Sequence, residues 1–191
     1  MSEFVQVIFY GGALQGFLLA VFLFSIRTNK ISNRLLGLLT LFWGIVLLVF
    51  ALQAKGLYNK YPQFLYVFDQ LILCFFPLLF LQVKYLLTRH KVFEKKDLFH
   101  FIPFFAGIFL YMHFFMSPVE EKLELNNNPT LYYQIVEIVL HEIISLQGIV
   151  YSVLAILLIR KYQKKITDFV STVHKSIIKV LYIGILLNLL S

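Results

Sequence analysis

The sequence predicts an all-α fold: a multi-pass transmembrane helix bundle of five complete helices plus a truncated sixth, forming a single transmembrane helical domain over residues 1–191. Three observations predict it. The chain is 60% hydrophobic and 14% charged, with a mean hydropathy of +0.80, whereas a water-soluble domain has about a quarter of its residues charged. Its apolar residues fall in long blocks, and about 20 such residues in a helix cover a hydrocarbon core of about 30 Å. The basic residues crowd into alternate connections between those blocks.

The first block, Phe4 to Ile26, has Glu3 and no basic residue before it and meets positive charge only at Arg27. It is therefore a retained helix and not a cleavable signal peptide. Gly12 and Gly16 have the small-residue spacing that lets helices approach closely, with Gln15 near mid-membrane as a candidate interhelical hydrogen-bond donor. In a multi-pass chain that face points to packing within the bundle, and a homodimer is the other use it allows. The second block runs from Leu35 to Leu52, and the third, Phe64 to Val83, carries Pro77 and the only cysteine, Cys74. A single cysteine leaves neither a disulfide framework nor a metal-binding cysteine set, and redox chemistry has no support.

The fourth block, Leu98 to Met116, opens with "KKDLFHFIPFF" at residues 95–105. Lys95, Lys96 and Asp97 are expected at the membrane surface with their charged heads in water, Asp97 capping the helix N-terminus. Pro103, a turn and a half inside, is expected to free a backbone carbonyl and bend the helix. His100 is expected to meet headgroups or another helix. The fifth block runs from Val136 to Ile159. The sixth, Ile177 to Ser191, supplies 15 residues, about 22 Å at 1.5 Å each, which is less than the hydrocarbon thickness. The chain thus reads as a fragment of a longer protein cut within its sixth helix.

The formal charge of +7 raises nucleic acid as a partner, but the placement of the charges points to the bilayer. Arg27, Lys30 and Arg34 follow the first block, Arg89, Lys91, Lys95 and Lys96 the third, and Arg160, Lys161, Lys164, Lys165 and Lys175 the fifth. The other connections hold Lys55 and Lys60, or Lys122 among Glu120, Glu121 and Glu124. The positive-inside rule then places the N-terminus outside and the first, third and fifth connections in the cytoplasm. Tyr58, Tyr61, Tyr66, Tyr132 and Tyr133 are expected to gather as an aromatic belt at the outer interface.

Four stretches in order resemble the membrane region that precedes the DNA-binding domain in AraC-type transcription regulators of Bacteroidota bacteria. They are "GGALQGFLLAVFLF", "NKISNRLLGLLTL", "FFPLLFLQVKYLL" and "KKDLFHFIPFF". The resemblance implies a protein of the bacterial inner membrane that passes an extracytoplasmic or membrane signal to a C-terminal helix-turn-helix domain. That domain is missing from this fragment, so DNA would be a partner only through it. An N-terminus outside and a DNA-binding domain inside require an odd number of helices, with which an unfinished sixth is compatible.

Ionisable residues inside a bilayer are costly and usually face other helices or a water-filled cavity. Asp69 in the third block, His113 in the fourth, and His141 and Glu142 in the fifth share a depth near the outer face, with Glu137 at the outer boundary of the fifth. They are the candidate lining of a polar pocket for an unknown small-molecule signal. Two histidines and two carboxylates could also hold a divalent metal, or these groups could serve as interhelical hydrogen-bond partners. On the fifth helix, Gln134, Glu137, His141, Ser145 and Gly148 make one polar stripe.

An enzyme is not expected. "HEIIS", beginning at His141, starts the H-E-x-x-H zinc pattern but puts serine where the second histidine belongs, and no cofactor motif is present. The alternative to a regulator is a stand-alone multi-pass membrane protein of transporter-like or structural type. A transporter would be expected to show inverted repeats, and none is evident.

Overall fold

The computed structural model describes residues 3–88 and 92–166, and every regular element among them is helical. Helices α1 (Glu3–Ser25) and α2 (Lys30–Gln53) are joined by a tight turn at Asn29, whose φ of 45° lies in the left-handed region that asparagine tolerates. The two run antiparallel. Phe24 meets Gly37, Gly16 meets Thr40 and Gly44, and Gly12 meets Leu47. A Cβ at Gly16 would fall 2.8 Å from the Thr40 carbonyl oxygen and 2.9 Å from the Gly44 Cα, so backbone packs on backbone there. Gln15 lies on the opposite, exposed face and donates no hydrogen bond among the described residues. Its expected interhelical role is corrected by its position one residue away from the packed glycine.

After α2 the chain makes a single turn of helix, α3 (Leu57–Lys60), and two 3-10 stretches, Pro62–Phe64 and Asp69–Cys74. It then continues as α4 (Phe75–Thr88), beside a further 3-10 stretch, Lys95–Phe101. Next come α5 (Ile102–Leu110), α6 (Met112–Met116), α7 (Val119–Asn127) and the long α8 (Leu131–Ile166). Among the described residues, four segments are long and apolar enough to cross a membrane: Glu3–Ser25, Lys30–Gln53, Pro62–Thr88 and Leu131–Tyr162. The fourth expected block is divided among the 3-10 stretch, α5 and α6, with Tyr111 between the last two. The sixth, Ile177 to Ser191, lies outside the described residues.

The prolines explain where the helix type changes. Pro77 and Pro103 both fall in the first turn of an α-helix that follows a 3-10 stretch, where no intrahelical N–H is required. Pro103 therefore begins α5 and does not kink a helix from within. Asp97, expected in water as an N-cap, is 2% exposed and makes no cap bond. It pairs with Lys84 Nζ at 2.7 and 2.8 Å and accepts the Tyr85 hydroxyl at 2.7 Å. Glu94 accepts from Lys84 at 2.7 Å, and its own N–H donates to the Tyr85 oxygen at 2.7 Å. Residues 94–97 are thus fastened to the end of α4.

The remaining contacts fix directions. Ser32 donates to the Gln82 carbonyl and Trp43 packs edge-on to Phe75, so α2 and α4 are antiparallel. Phe76 faces Gly148, and Val83 packs with Ala155 and Ile159, so α4 and α8 are parallel. His100 Nδ1 lies 3.0 Å from the Tyr151 hydroxyl, so its partner is another helix. Large apolar side chains such as Leu18, Phe22, Phe109, Ile138 and Leu157 point outward, the surface expected of a bundle solvated by lipid.

Candidate functional site

The approach to α4 is irregular over residues 61–74, and this irregularity builds the site. In a hydrocarbon medium, non-helical backbone is tolerated only where it is covered by protein or lines a cavity. Two cavities meet here. One of about 260 Å³ is lined by Tyr66, Asp69, Gln70, Tyr111, Glu137 and His141, with apolar walls from Ile72, Leu73, Leu140 and Ile144. The other, of about 310 Å³, is lined by Gln53, Gly56, Tyr58, Leu65, Tyr66, Asp69 and Asn126. Tyr66 and Asp69 form the wall between them.

Tyr66 holds the wall at φ 59°, a conformation that costs a bulky residue on the order of 1–3 kcal/mol. Ring contacts with Tyr111 at 5.2 Å and Phe114 at 5.1 Å hold it there, and its hydroxyl lies 3.4 Å from Asn126 Oδ1 on α7. Helix α7 thus covers the site, anchored by the buried Lys122, which donates to the Phe115 carbonyl at 3.0 Å. Outside the spanning segments, burial first and the Asp69 carboxylate next push the Tyr58 phenol up to about 12. Asp69 is therefore felt in both cavities.

Of the residues expected to share a pocket, Asp69, Glu137 and His141 line the first cavity. His113 does not; its Nδ1 lies 3.2 Å from the Tyr133 hydroxyl. Glu142 is exposed and turned off the cavity by the 100° step from His141. Among the described residues no three of His, Cys, Asp and Glu stand close enough to hold a metal. The tyrosine belt is also only partly a belt. Tyr133 is buried with Tyr111 and Phe114, whereas Tyr61 and Tyr132 remain exposed.

Gln70 is the wall residue that sequence reasoning misses. It is 5% exposed, and its Oε1 has no hydrogen-bond partner among the described residues. The side chain lies against Gly107 of α5, where a Cβ would collide with Oε1 and stand 2.8 Å from Leu73 Cδ1. Gly107→Ala should therefore move Gln70 and lower stability by about 1–2 kcal/mol, read as a reduced thermal midpoint in detergent. Gly11→Ala, with nothing within 4 Å of its added methyl, should not lower that midpoint.

Chemically, two carboxylates, an imidazole and two phenols around one cavity can accept hydrogen bonds and exchange protons. Carboxylates facing one space repel unless a proton, a cation or a donor lies between them. The chain matches no protein-family model, no curated protein and no solved structure.

Proposed function

We propose that this chain is the membrane-embedded sensory region of a bacterial transcription regulator, whose cavity at Asp69, Glu137 and His141 receives a small-molecule signal from outside the cytoplasm. The carrying observation is that cavity, built from a broken span and lined by ionisable groups, beside a second cavity that Asn126 of α7 helps to line. The reading takes the chain as a multi-pass inner-membrane protein of five complete helices plus a truncated sixth, with the N-terminus outside. At about 2.0 Å per residue for 3-10 and 1.5 Å for α-helix, the segment from Lys95 to Met116 reaches roughly 35 Å, enough for a fifth crossing. The output to DNA rests on the resemblance of four sequence stretches and would run through a helix-turn-helix domain C-terminal to these residues.

A ligand transmits a signal only by binding one helix arrangement better than another. Helix α8 supplies Glu137 and His141 to the cavity and runs on to the basic end, so a change in its packing is the transmitted event. A transporter-like reading also uses a broken span, but its broken segments pair near the midplane. Here the other long 3-10 stretch, Lys95–Phe101, stands at the opposite end, fastened to Lys84.

The test uses the protein read from the complete gene, with a transcriptional reporter in its native host. Asp69→Asn and His141→Gln keep size and polarity, and should alter the response while leaving membrane insertion intact. Unaltered responses in both variants would reduce the cavity to structural hydrogen bonding. A stop codon directly after Ser191 would remove the regulator reading and favour a stand-alone membrane protein.

A further inference from the structure

A third cavity, of about 450 Å³, lies at the Lys84–Asp97 end between α2, α4 and the start of α5. Leu35, Cys74 and Leu78 form its floor, and Leu38, Phe101 and Phe105 are among its walls. Its volume falls within the roughly 300–1,000 Å³ of small-molecule sites, and its lining is apolar and aromatic apart from one charged side chain. That side chain is Arg34. It is exposed, one helical turn after Lys30, and forms no ion pair or hydrogen bond among the described residues.

The groove exists because of the ion pair already described. Asp97 is drawn to Lys84, which fixes the 3-10 stretch and leaves Leu98, Phe101 and Phe105 facing α2 across a gap. A gap of this kind in a membrane protein fills with hydrocarbon. A guanidinium at its mouth adds a preference, because its planar fork matches phosphate oxygens and is less strongly hydrated than an ammonium. Basic pockets between helices at such an interface suit anionic headgroups.

We propose that this groove is a binding site for an anionic phospholipid, with one acyl chain along the Leu35–Leu78 floor and the headgroup phosphate on Arg34. The site is separate from the polar cavity and independent of the signal read there.

Trp43 is the only tryptophan, so a single reporter can be placed. The chain carrying Trp43→Phe and Phe105→Trp is reconstituted in phosphatidylcholine containing acyl-brominated phosphatidylglycerol or acyl-brominated phosphatidylcholine, and quenching of the introduced indole's fluorescence gives the relative binding constant. The anionic lipid should be favoured about fivefold, the preference one basic group near a membrane surface supplies. Arg34→Gln should bring the ratio near one, Arg34→Lys should retain only part of it, and Lys30→Gln should lower it less than Arg34→Gln does. Equal quenching by both lipids in the parent would make the groove ordinary lipid-facing surface and overturn the proposal. Absence of quenching by either lipid would overturn it too, since the groove would then be filled by protein, from this chain or a second copy.

Discussion

Replacing Lys84 with methionine is expected to destabilise the basic end of the bundle by about 3 kcal/mol, whereas Lys84→Met combined with Asp97→Leu should recover most of the loss. The reason is the burial of Asp97, whose side chain is 3% exposed and has Lys84 as its counter-charge at 2.7 Å. Removing the lysine strands a carboxylate where water cannot reach it, beside Glu94. Removing both leaves no unpaired buried charge beside Tyr85. The figure is set at the low end of the range for broken buried pairs because Lys84 keeps 17% of its side-chain exposure. Detergent-solubilised protein followed through its thermal midpoint gives the comparison, and equal losses in the single and double variants would contradict it. The pH dependence has a definite sign. Hydrogen bonds from Lys84 and then Lys96 hold the Glu94 carboxyl below its ordinary range. A depressed value gives stability that is fully present above the unfolded carboxylate pKa of about 4.3 and lost as pH falls through the folded value. The fastening should therefore be intact at pH 5 and above.

Gly16→Leu should separate α1 from α2. The added side chain meets the Thr40 carbonyl oxygen and the Gly44 Cα, backbone atoms that cannot rotate away as a side chain can. Overpacking against backbone belongs at the upper end of the 1–3 kcal/mol range, about 3 kcal/mol. Helix α1 packs almost wholly on α2, so a wedge between the two acts on the interface that holds α1 in place. Titration with a denaturing detergent should show early loss of the α1–α2 contact in Gly16→Leu, and no change in Gly11→Leu, which points into open space. Gly12→Leu should be milder, since its neighbour is the flexible end of Leu47.

The blocks at Phe4 to Ile26, Leu35 to Leu52, Phe64 to Val83 and Val136 to Ile159 coincide with segments able to span a membrane, because hydrocarbon thickness sets a length that composition alone reveals. The break in the fourth block is less legible. Proline marks a boundary, but whether a helix bends or begins there depends on what the preceding turns bind. Here Asp97 finds Lys84, a partner 13 residues back across a connection, and the turns before Pro103 become 3-10.

On α8 the polar stripe is offset by about one residue from the packed face, which runs through Tyr133, Val136, Leu140, Gln147, Ser152, Ala155 and Ile159. Glu137 and His141 therefore sit at the edge of the packed face and reach the cavity, while Ser145 bonds only to the carbonyl one turn back. Common depth identifies candidates for a pocket but not the rotation of each helix about its axis. That is why His113 and Glu142 fall outside it. Buried glutamines such as Gln70 and Gln82 leave no periodic trace in an apolar helix and become visible only through their neighbours.

In the proposed topology the cavity at Asp69, Glu137 and His141 opens to the outside while the Lys84–Asp97 end faces the cytoplasm. Single cysteines at Glu137 and Lys96, introduced into a chain carrying Cys74→Ala, can be challenged with a membrane-impermeant thiol reagent in intact cells with permeable outer membranes. Glu137 lines the cavity and Lys96 is exposed beyond the end of α4, so a reagent entering the cavity reaches position 137 and one on the opposite side reaches position 96. Position 137 should be labelled in intact cells and position 96 only after the cells are broken. Labelling at position 96 but not at 137 in intact cells would contradict it.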